Sequence, residues 1–402
     1  MLPALLIDTL RLGEVGESDL AARWRDADTV GLPELAVYEG ASIWLLRRLR
    51  AIGAFDLLPG VIRDRLRQQA FDSSALRLEV EAEAAAALTI LNRAAVPVIL
   101  IKGVARCALA GRYPYLDARG TVDVDLLVPS DRIAKADAAF RSEGYVAALP
   151  PKPALAPRHH HLPPLRRDRI TVELHDSTSV RVPSEVAWAR LNEGSELHQW
   201  AGQQVRLPSA TELAWSAVAH AMEDDAEGFR LRRFLELAAL VGSDAPINWT
   251  SLVDRRQSDV LFNPAAGVAD QAAVADLWLD AALALVAEAK RPKQLTVTGF
   301  NLEELLAWRL GVLRQRPRIG RQLADRLLEE GVRALTGLPL EGSPPGAARW
   351  SQVRRSVAGH FSRVAFGAWR TGHRSRHRSF SSPSADPGDR ADERRPTSPG
   401  RY

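Results

Sequence analysis

Between Thr121 and Val128 the chain reads Thr-Val-Asp-Val-Asp-Leu-Leu-Val, and this run restricts the fold more tightly than its neighbours do. β-Branched and apolar residues surround two acids that stand two positions apart, which is the pattern of a strand buried in a sheet. Positions i and i+2 of a strand share a face. Asp123 and Asp125 are therefore expected to project together at the strand's end, with Val122, Val124 and Leu126 turned towards a core. Two carboxylates held that close repel each other, and a divalent cation is the usual relief. The pattern points to metal-assisted phosphoryl chemistry.

With 402 residues, 46% of them hydrophobic, the chain can bury a large core and form more than one domain. A single cysteine, Cys107, excludes an intrachain disulfide framework and fits a reducing compartment, so a cytoplasmic location is expected. The opening Met-Leu-Pro-Ala-Leu-Leu-Ile-Asp has no basic segment and too short an apolar run for a leader or anchor. No later run is long and apolar enough to span a bilayer. The formal charge is +4, and residues 370–402, with eight Arg against four Asp plus Glu, supply the whole excess. A near-neutral body has no basic stripe to follow a phosphate backbone, which argues against a nucleic-acid partner. The Ser, Pro, Gly and Arg-rich tail reads as disordered and solvated, leaving contact with RNA or acidic lipid open through that segment alone.

Helical spacing dominates residues 33–95, with Leu45, Leu46, Leu49 and Ile52 on one face, Pro59-Gly60 as a break, and an Ala and Glu-rich run over 74–95. Val96 to Ile101 then predicts a short strand, Lys102-Gly103 a glycine turn, and Val104 to Ala110 a helix. After the Asp strand, Ser130 is positioned to cap a helix reaching Ser142, and Gly144-Tyr145-Val146 starts a further extended piece. A proline-rich loop covers Leu149 to Pro157. His159 to Leu165 and Ile170 to His175 predict a hairpin joined by Arg166-Arg167-Asp168-Arg169. From Pro208 onwards helices return, over 209–222, 229–241, 249–257, 265–289, 301–314 and 318–335. Val353, Val357, Phe361 and Val364 share the spacing of one last amphipathic helix. The expected organisation is an N-terminal helical region (1–95), a small α/β core (96–207), a C-terminal helical domain (208–348) and a basic tail (349–402). The fold class is α+β, a small mixed sheet flanked by helices before and after it.

Three pieces converge if the strands lie side by side: the Lys102-Gly103 turn, the Asp123 and Asp125 pair, and Glu173 in Ile-Thr-Val-Glu-Leu-His. Within that last strand Thr171, Glu173 and His175 share one face, so Glu173 is placed to complete a carboxylate triad. His159, His160 and His161 invite a metal reading too. Strand alternation would send the middle ring to the opposite face, and no cysteine nearby completes a zinc set.

This order of elements resembles the polymerase-beta-like nucleotidyltransferase superfamily. More closely it resembles a largely uncharacterised nucleotidyltransferase family that reads Leu-Lys-Gly, Tyr-Pro, Arg before Asp-x-Asp-Leu-Leu-Val, and later an acid followed by Leu-His. Here these stand as Ile101-Lys102-Gly103, Tyr113-Pro114, Arg119 before Asp123-Val-Asp125-Leu-Leu-Val128, and Glu173-Leu174-His175. The resemblance extends over roughly 80–260 and takes in His220 and the later Arg232-Arg233-Phe234-Leu235-Glu236-Leu237. It implies a nucleotidyltransferase-like core that moves a nucleoside monophosphate from a nucleoside triphosphate, such as ATP, onto an unidentified protein, peptide or small-molecule acceptor. It also implies two Mg²⁺ ions, with Asp123, Asp125 and Glu173 as ligands, Glu173 as proton acceptor, and Lys102, Gly103, Arg119 and His175 around the nucleotide. One departure stands out: the wider superfamily has Gly-Ser or Gly-Gly at the turn, where this chain has Lys102-Gly103-Val104. That departure motivates the alternative, a nucleotidyltransferase fold without turnover that acts as a nucleotide-binding or protein-interaction module.

Overall fold

The computed structural model describes residues 2–12, 17–118, 120–148, 160–179, 182–223, 229–258, 268–292 and 301–319, together with 324, 325, 327 and 328. All of these fall within one compact unit, Met1–Gly346. The segment 349–402, with its expected final helix, lies outside the described residues, as do Arg119, His159, most of 318–335 and residues 149–157, where a proline-rich loop is expected.

Four helices come first: α1 (Leu2–Leu10), α2 (Glu17–Arg25), α3 (Leu32–Tyr38) and α4 (Ser42–Ala51). They lead to α5 (Gly60–Arg93), a helix of 34 residues whose buried Val80, Ala84, Ala87, Leu88 and Leu91 recur at three- and four-residue steps. Its alanines lose little side-chain entropy and let neighbouring elements approach closely. A seven-stranded mixed sheet follows, built from β1 (Ile99–Leu100), β2 (Asp123–Leu127), β3 (Val146–Ala147), β4 (Leu165–Arg166), β5 (Thr171–His175), β6 (Glu196–Trp200) and β7 (Gln203–Leu207). The strand order is β3-β4-β5-β2-β1-β7-β6. β2 is central and carries the paired acids; it runs parallel to β5 and antiparallel to β1.

Both faces of the central strands are covered. Val124, Leu126, Val172 and Leu174 are fully buried, and α5 and α7 (Ile133–Ser142) pack on β2 and β5. On the alternate positions Ile99, Ile101 and Leu127 form a cluster with Leu191, flanked by Trp188, both from α8 (Ser184–Glu193). Val122 departs from the expected inward position. It precedes β2 and is 62% exposed, because regular pairing starts at Asp123 and alternation does not reach back to it. Ser130 makes no helix-capping hydrogen bond either; it starts a single 3-10 turn (Ser130–Arg132), and its hydroxyl bonds Glu185 instead.

The expected hairpin is present, with Leu165 opposite Val172 and Arg166 opposite Thr171, so Arg166 belongs to the strand rather than to the turn. A second hairpin, β6–β7, is absent from the sequence reading. It turns at Ala201 and Gly202, both with positive φ (51° and 75°), the backbone that a two-residue hairpin turn needs. The pair extends the sheet because β7 adds parallel to β1.

The helices after the sheet are α9 (Ala210–Glu223), α10 (Leu231–Gly242), α11 (Trp249–Ser258), α12 (Val268–Leu283) and α13 (Leu302–Ile319). Phe234 and Trp278 pack ring on ring between α10 and α12, with centroids 5.5 Å apart. Both ends of the described chain meet: α1 packs on α13, and Leu12 pairs with Val286 in an isolated bridge. At the same junction Glu39 and Arg309, both fully buried, form an ion pair at 2.9 Å.

Candidate active site

Parallel register sets Asp125 directly beside Glu173, and Asp123 beside Thr171. Register partners in neighbouring strands share a face, so the two acids from distant segments become neighbours. His175, two residues beyond Glu173, lies on that face too and is completely buried. Its Nε2 lies 2.9 Å from Asp125 Oδ1 and 3.4 Å from Glu173 Oε2. The imidazole thus bridges both carboxylates.

Lys102 reaches the same oxygen from the end of β1, its Nζ 2.9 Å from Asp125 Oδ1. Two features hold it there. The backbone N–H of Ile101 donates to the Asp125 carbonyl at 3.2 Å, which ties the turn to β2. Lys102 itself adopts a left-handed conformation, φ 51°, at the first position of α6 (Lys102–Ala108). A side chain at positive φ is disfavoured by roughly 1 kcal/mol or more. The sequence reading gave the turn's special role to Gly103, yet Gly103 is buried inside α6 and the left-handed residue is the lysine.

Electrostatics follow from this geometry. Burial penalises the Asp125 carboxylate, yet Lys102 and His175 outweigh that penalty and hold its pKa well below the usual range. Glu173 is likewise lowered: burial opposes ionisation, and the hydrogen bond from His175 overcomes it. The imidazole and the ammonium answer in kind. Burial works against charge on His175 and on Lys102, but the carboxylates beside them raise both pKa values. The cluster is therefore a compact set in which the ammonium and the imidazole each stabilise a neighbouring carboxylate.

Of the residues expected at the site, the fold unites Lys102, Asp125, Glu173 and His175. One donor atom from each of Asp125, Glu173 and His175 lies within 4.8 Å of the others, a spacing that can hold a metal ion. Two carboxylates and one imidazole nitrogen form a donor set that suits a divalent cation. Asp123, partly exposed and within 3.5 Å of the Thr121 hydroxyl, is not in that group. The neighbouring histidines differ from the alternation argument. His160 and His161 both approach His175, with ring centroids 5.2 and 5.1 Å away; they sit at an isolated bridge, His161–His175, rather than in a regular strand. His159 lies outside the described residues.

Two supporting clusters escaped the sequence reading. Arg106, one turn beyond Lys102 on α6, is buried and pairs with buried Glu236 of α10 at 2.8 Å. Arg47 of α4 binds Asp117 through two hydrogen bonds of 2.7 and 2.8 Å, anchoring the segment that precedes β2. An arginine set among apolar residues, as in Val104-Ala-Arg-Cys-Ala, was the available signal for the first. Beside Lys102 a shallow cleft is walled by Ile101, Leu191, Leu213 and Trp215, with Ser179 and Arg190 also lining it.

Comparison with known proteins points to one family. The family described as uncharacterised nucleotidyltransferase matches residues 26–273, which include every strand and all four clustered residues. A search of curated proteins gives no match. Among solved structures, the antibiotic-resistance factor ANT(2'')-Ia, known from a solution structure, is 16% identical, with a TM-score of 0.30 over 40% of this chain and 84% of that one.

Proposed function

We propose, from the premise that this chain belongs to the uncharacterised nucleotidyltransferase family, that it transfers a nucleoside monophosphate from a nucleoside triphosphate to a hydroxyl of a protein, peptide or small-molecule acceptor. The observation that carries this reading is the meeting of Asp125, Glu173 and His175 from adjacent parallel strands, with Lys102 on the same Asp oxygen. Asp125, Glu173 and His175 would hold the divalent cation, Mg²⁺ in this reading. When bound, that ion supplies positive charge for the triphosphate and acidity for the acceptor hydroxyl.

The remaining chemistry belongs to the chain. Lys102 offers an ammonium to phosphate oxygens as charge develops. Glu173, held ionised by its lowered pKa, accepts the acceptor's proton. The acceptor oxygen forms a bond to the alpha phosphorus while the bond to the bridging oxygen of the beta phosphate breaks, and that electron pair leaves with pyrophosphate. The cleft beside Lys102, with Trp215 and Leu213 in its wall, offers the nucleoside an apolar surface next to the phosphates. ATP is the first donor to test.

A second reading is motivated by the lysine turn, which lacks the small hydroxyl residue of the wider superfamily: a fold that binds nucleotide or a partner without turnover. One experiment separates the two. Release of pyrophosphate from each of the four triphosphates is measured with Mg²⁺, in the wild type and in Asp125→Asn and Glu173→Gln. Release that depends on Mg²⁺ and is lost in both variants supports transfer. Absence of release with every acceptor tried, together with nucleotide binding that neither substitution changes, supports the binding module.

A further inference from the structure

Two nitrogens already stand on Asp125: Lys102 Nζ and His175 Nε2, each 2.9 Å from the same Oδ1. Asp123, the other acid that a second ion would need, is outside the set of mutually close donors. Lys102 is also placed at a cost, through a left-handed backbone that its side chain disfavours. A lysine free to swing into solvent would need neither that backbone nor a partner that is 2% exposed.

We propose, resting on the transfer reading above, that the Lys102 ammonium occupies the electrostatic place of one of the two cations, so that the nucleotide-loaded site holds a single divalent ion. A point charge on a four-carbon stem can neutralise a phosphate oxygen without a coordination shell of its own. Asp125 is then shared between the ion on its Glu173 side and the lysine on its β1 side. His175 belongs to the ion's donor set, since it contacts Glu173 as well, whereas a lysine ammonium has no lone pair to offer an ion. The arrangement assigns Lys102 a permanent cationic role and explains why the turn carries lysine rather than a small hydroxyl residue.

The test uses the full chain, Mn²⁺ as the probe ion and an ATP analogue with a methylene between the alpha and beta phosphorus. Electron paramagnetic resonance counts the bound ions and reports whether two of them couple. The wild type is expected to bind one Mn²⁺ per chain with the spectrum of an isolated ion. Lys102→Met is expected to bind two with a coupled-pair spectrum, and Lys102→Arg to remain at one. A coupled pair in the wild type overturns the inference while leaving the transfer reading intact. A single isolated ion in a Lys102→Met protein whose circular dichroism matches the wild type also overturns it. Absence of any Mn²⁺ binding to the wild type, with or without the analogue, overturns the transfer reading and this inference together.

Discussion

Replacing Glu39 by Gln should destabilise the protein severely, although the substitution changes almost no volume. Glu39 follows α3, is completely buried, and accepts hydrogen bonds from Arg309 at 2.9 Å and from the backbone N–H of Leu231 at 2.7 Å. The amide of Gln can still accept from Leu231, so the local hydrogen bond survives. What it cannot do is balance the Arg309 guanidinium, which is 0% exposed and also donates to the Phe229 carbonyl at 2.9 Å. Leaving one partner of a buried ion pair unmatched costs about 3–5 kcal/mol, far more than the lost surface pair of an exposed salt bridge, about 0–1 kcal/mol. Arg309→Met should cost a similar amount for the mirror reason. The double variant removes both charges, so it should fall short of the sum of the singles by about 2 kcal/mol or more. Urea midpoints of the three variants measure this, and thermal melts should drop by roughly 2 °C per kcal/mol in a unit of this size. Singles whose effects add to within about 0.5 kcal/mol would refute the claim that Glu39 and Arg309 act as one buried pair.

Three further outcomes are expected. Leu126→Ala, at a fully buried position of β2 next to Asp125, should lower stability by about 2–5 kcal/mol, read as a shift in urea midpoint; a shift below about 0.5 kcal/mol would mean the β2 core collapses freely around the site. In turnover assays Asp125→Asn and Glu173→Gln should each lower kcat by about 10²-fold or more, with Asp123→Asn less damaging because its carboxylate lies outside the donor group; equal losses for all three would contradict the ranking. Stability without metal should also peak in mildly acidic buffer. Asp125 and Glu173 have lowered pKa values, so their contribution is present above their ordinary values of 3.8 and 4.5 and is lost as pH falls through the lower folded ones. His175 is raised from 6.5, so its contribution is complete below 6.5 and is lost as pH climbs through its folded value. Urea midpoints between pH 3 and 9 with a chelator check the profile, and His175→Asn should flatten its alkaline limb; an unchanged limb would remove His175 from the network.

The parts of the site legible in the sequence are those set by short-range periodicity. Alternation along Asp123–Leu127 and Thr171–His175 placed acids on one face and apolar residues on the other, and parallel pairing of those strands brings Asp125 beside Glu173 as that alternation requires. Beyond the strand ends the rule failed. Val122 precedes the first paired residue and faces solvent, and His160 and His161, at an isolated bridge rather than in a regular strand, both turn towards His175. The β6–β7 hairpin was missed for a related reason: its strand Glu196–Trp200 has charged, polar and exposed positions, so apolar alternation is weak, and only the Ala201-Gly202 turn announces it. Buried ion pairs were the least visible. Arg106 with Glu236 and Glu39 with Arg309 join residues 130 or more positions apart, and beyond the apolar neighbours of Arg106 nothing local in the sequence tells which charge meets which.

The lysine turn shows how long-range partners change the meaning of a short motif. Read by itself, Lys102-Gly103 at a helix start sets a cation against the positive end of the helix dipole, an unfavourable placement without an anion. In the fold the anion is internal: Asp125, on the next strand in sequence, lies 2.9 Å from the ammonium. The pairing also accounts for why the conformational burden falls on Lys102 and not on Gly103, since it is the lysine's direction that must be fixed. Removing the anion therefore ought to relax the turn as well as the chemistry. In Asp125→Asn the left-handed backbone loses the ion pair that offsets it, and amide hydrogen exchange at Ala105, whose N–H closes the turn onto the Ile101 carbonyl at 3.4 Å, should quicken relative to Leu126 on β2. Unchanged protection at Ala105 would show that the turn is held by the Ile101 to Asp125 backbone bond, and that the lysine's ion pair contributes nothing to its shape.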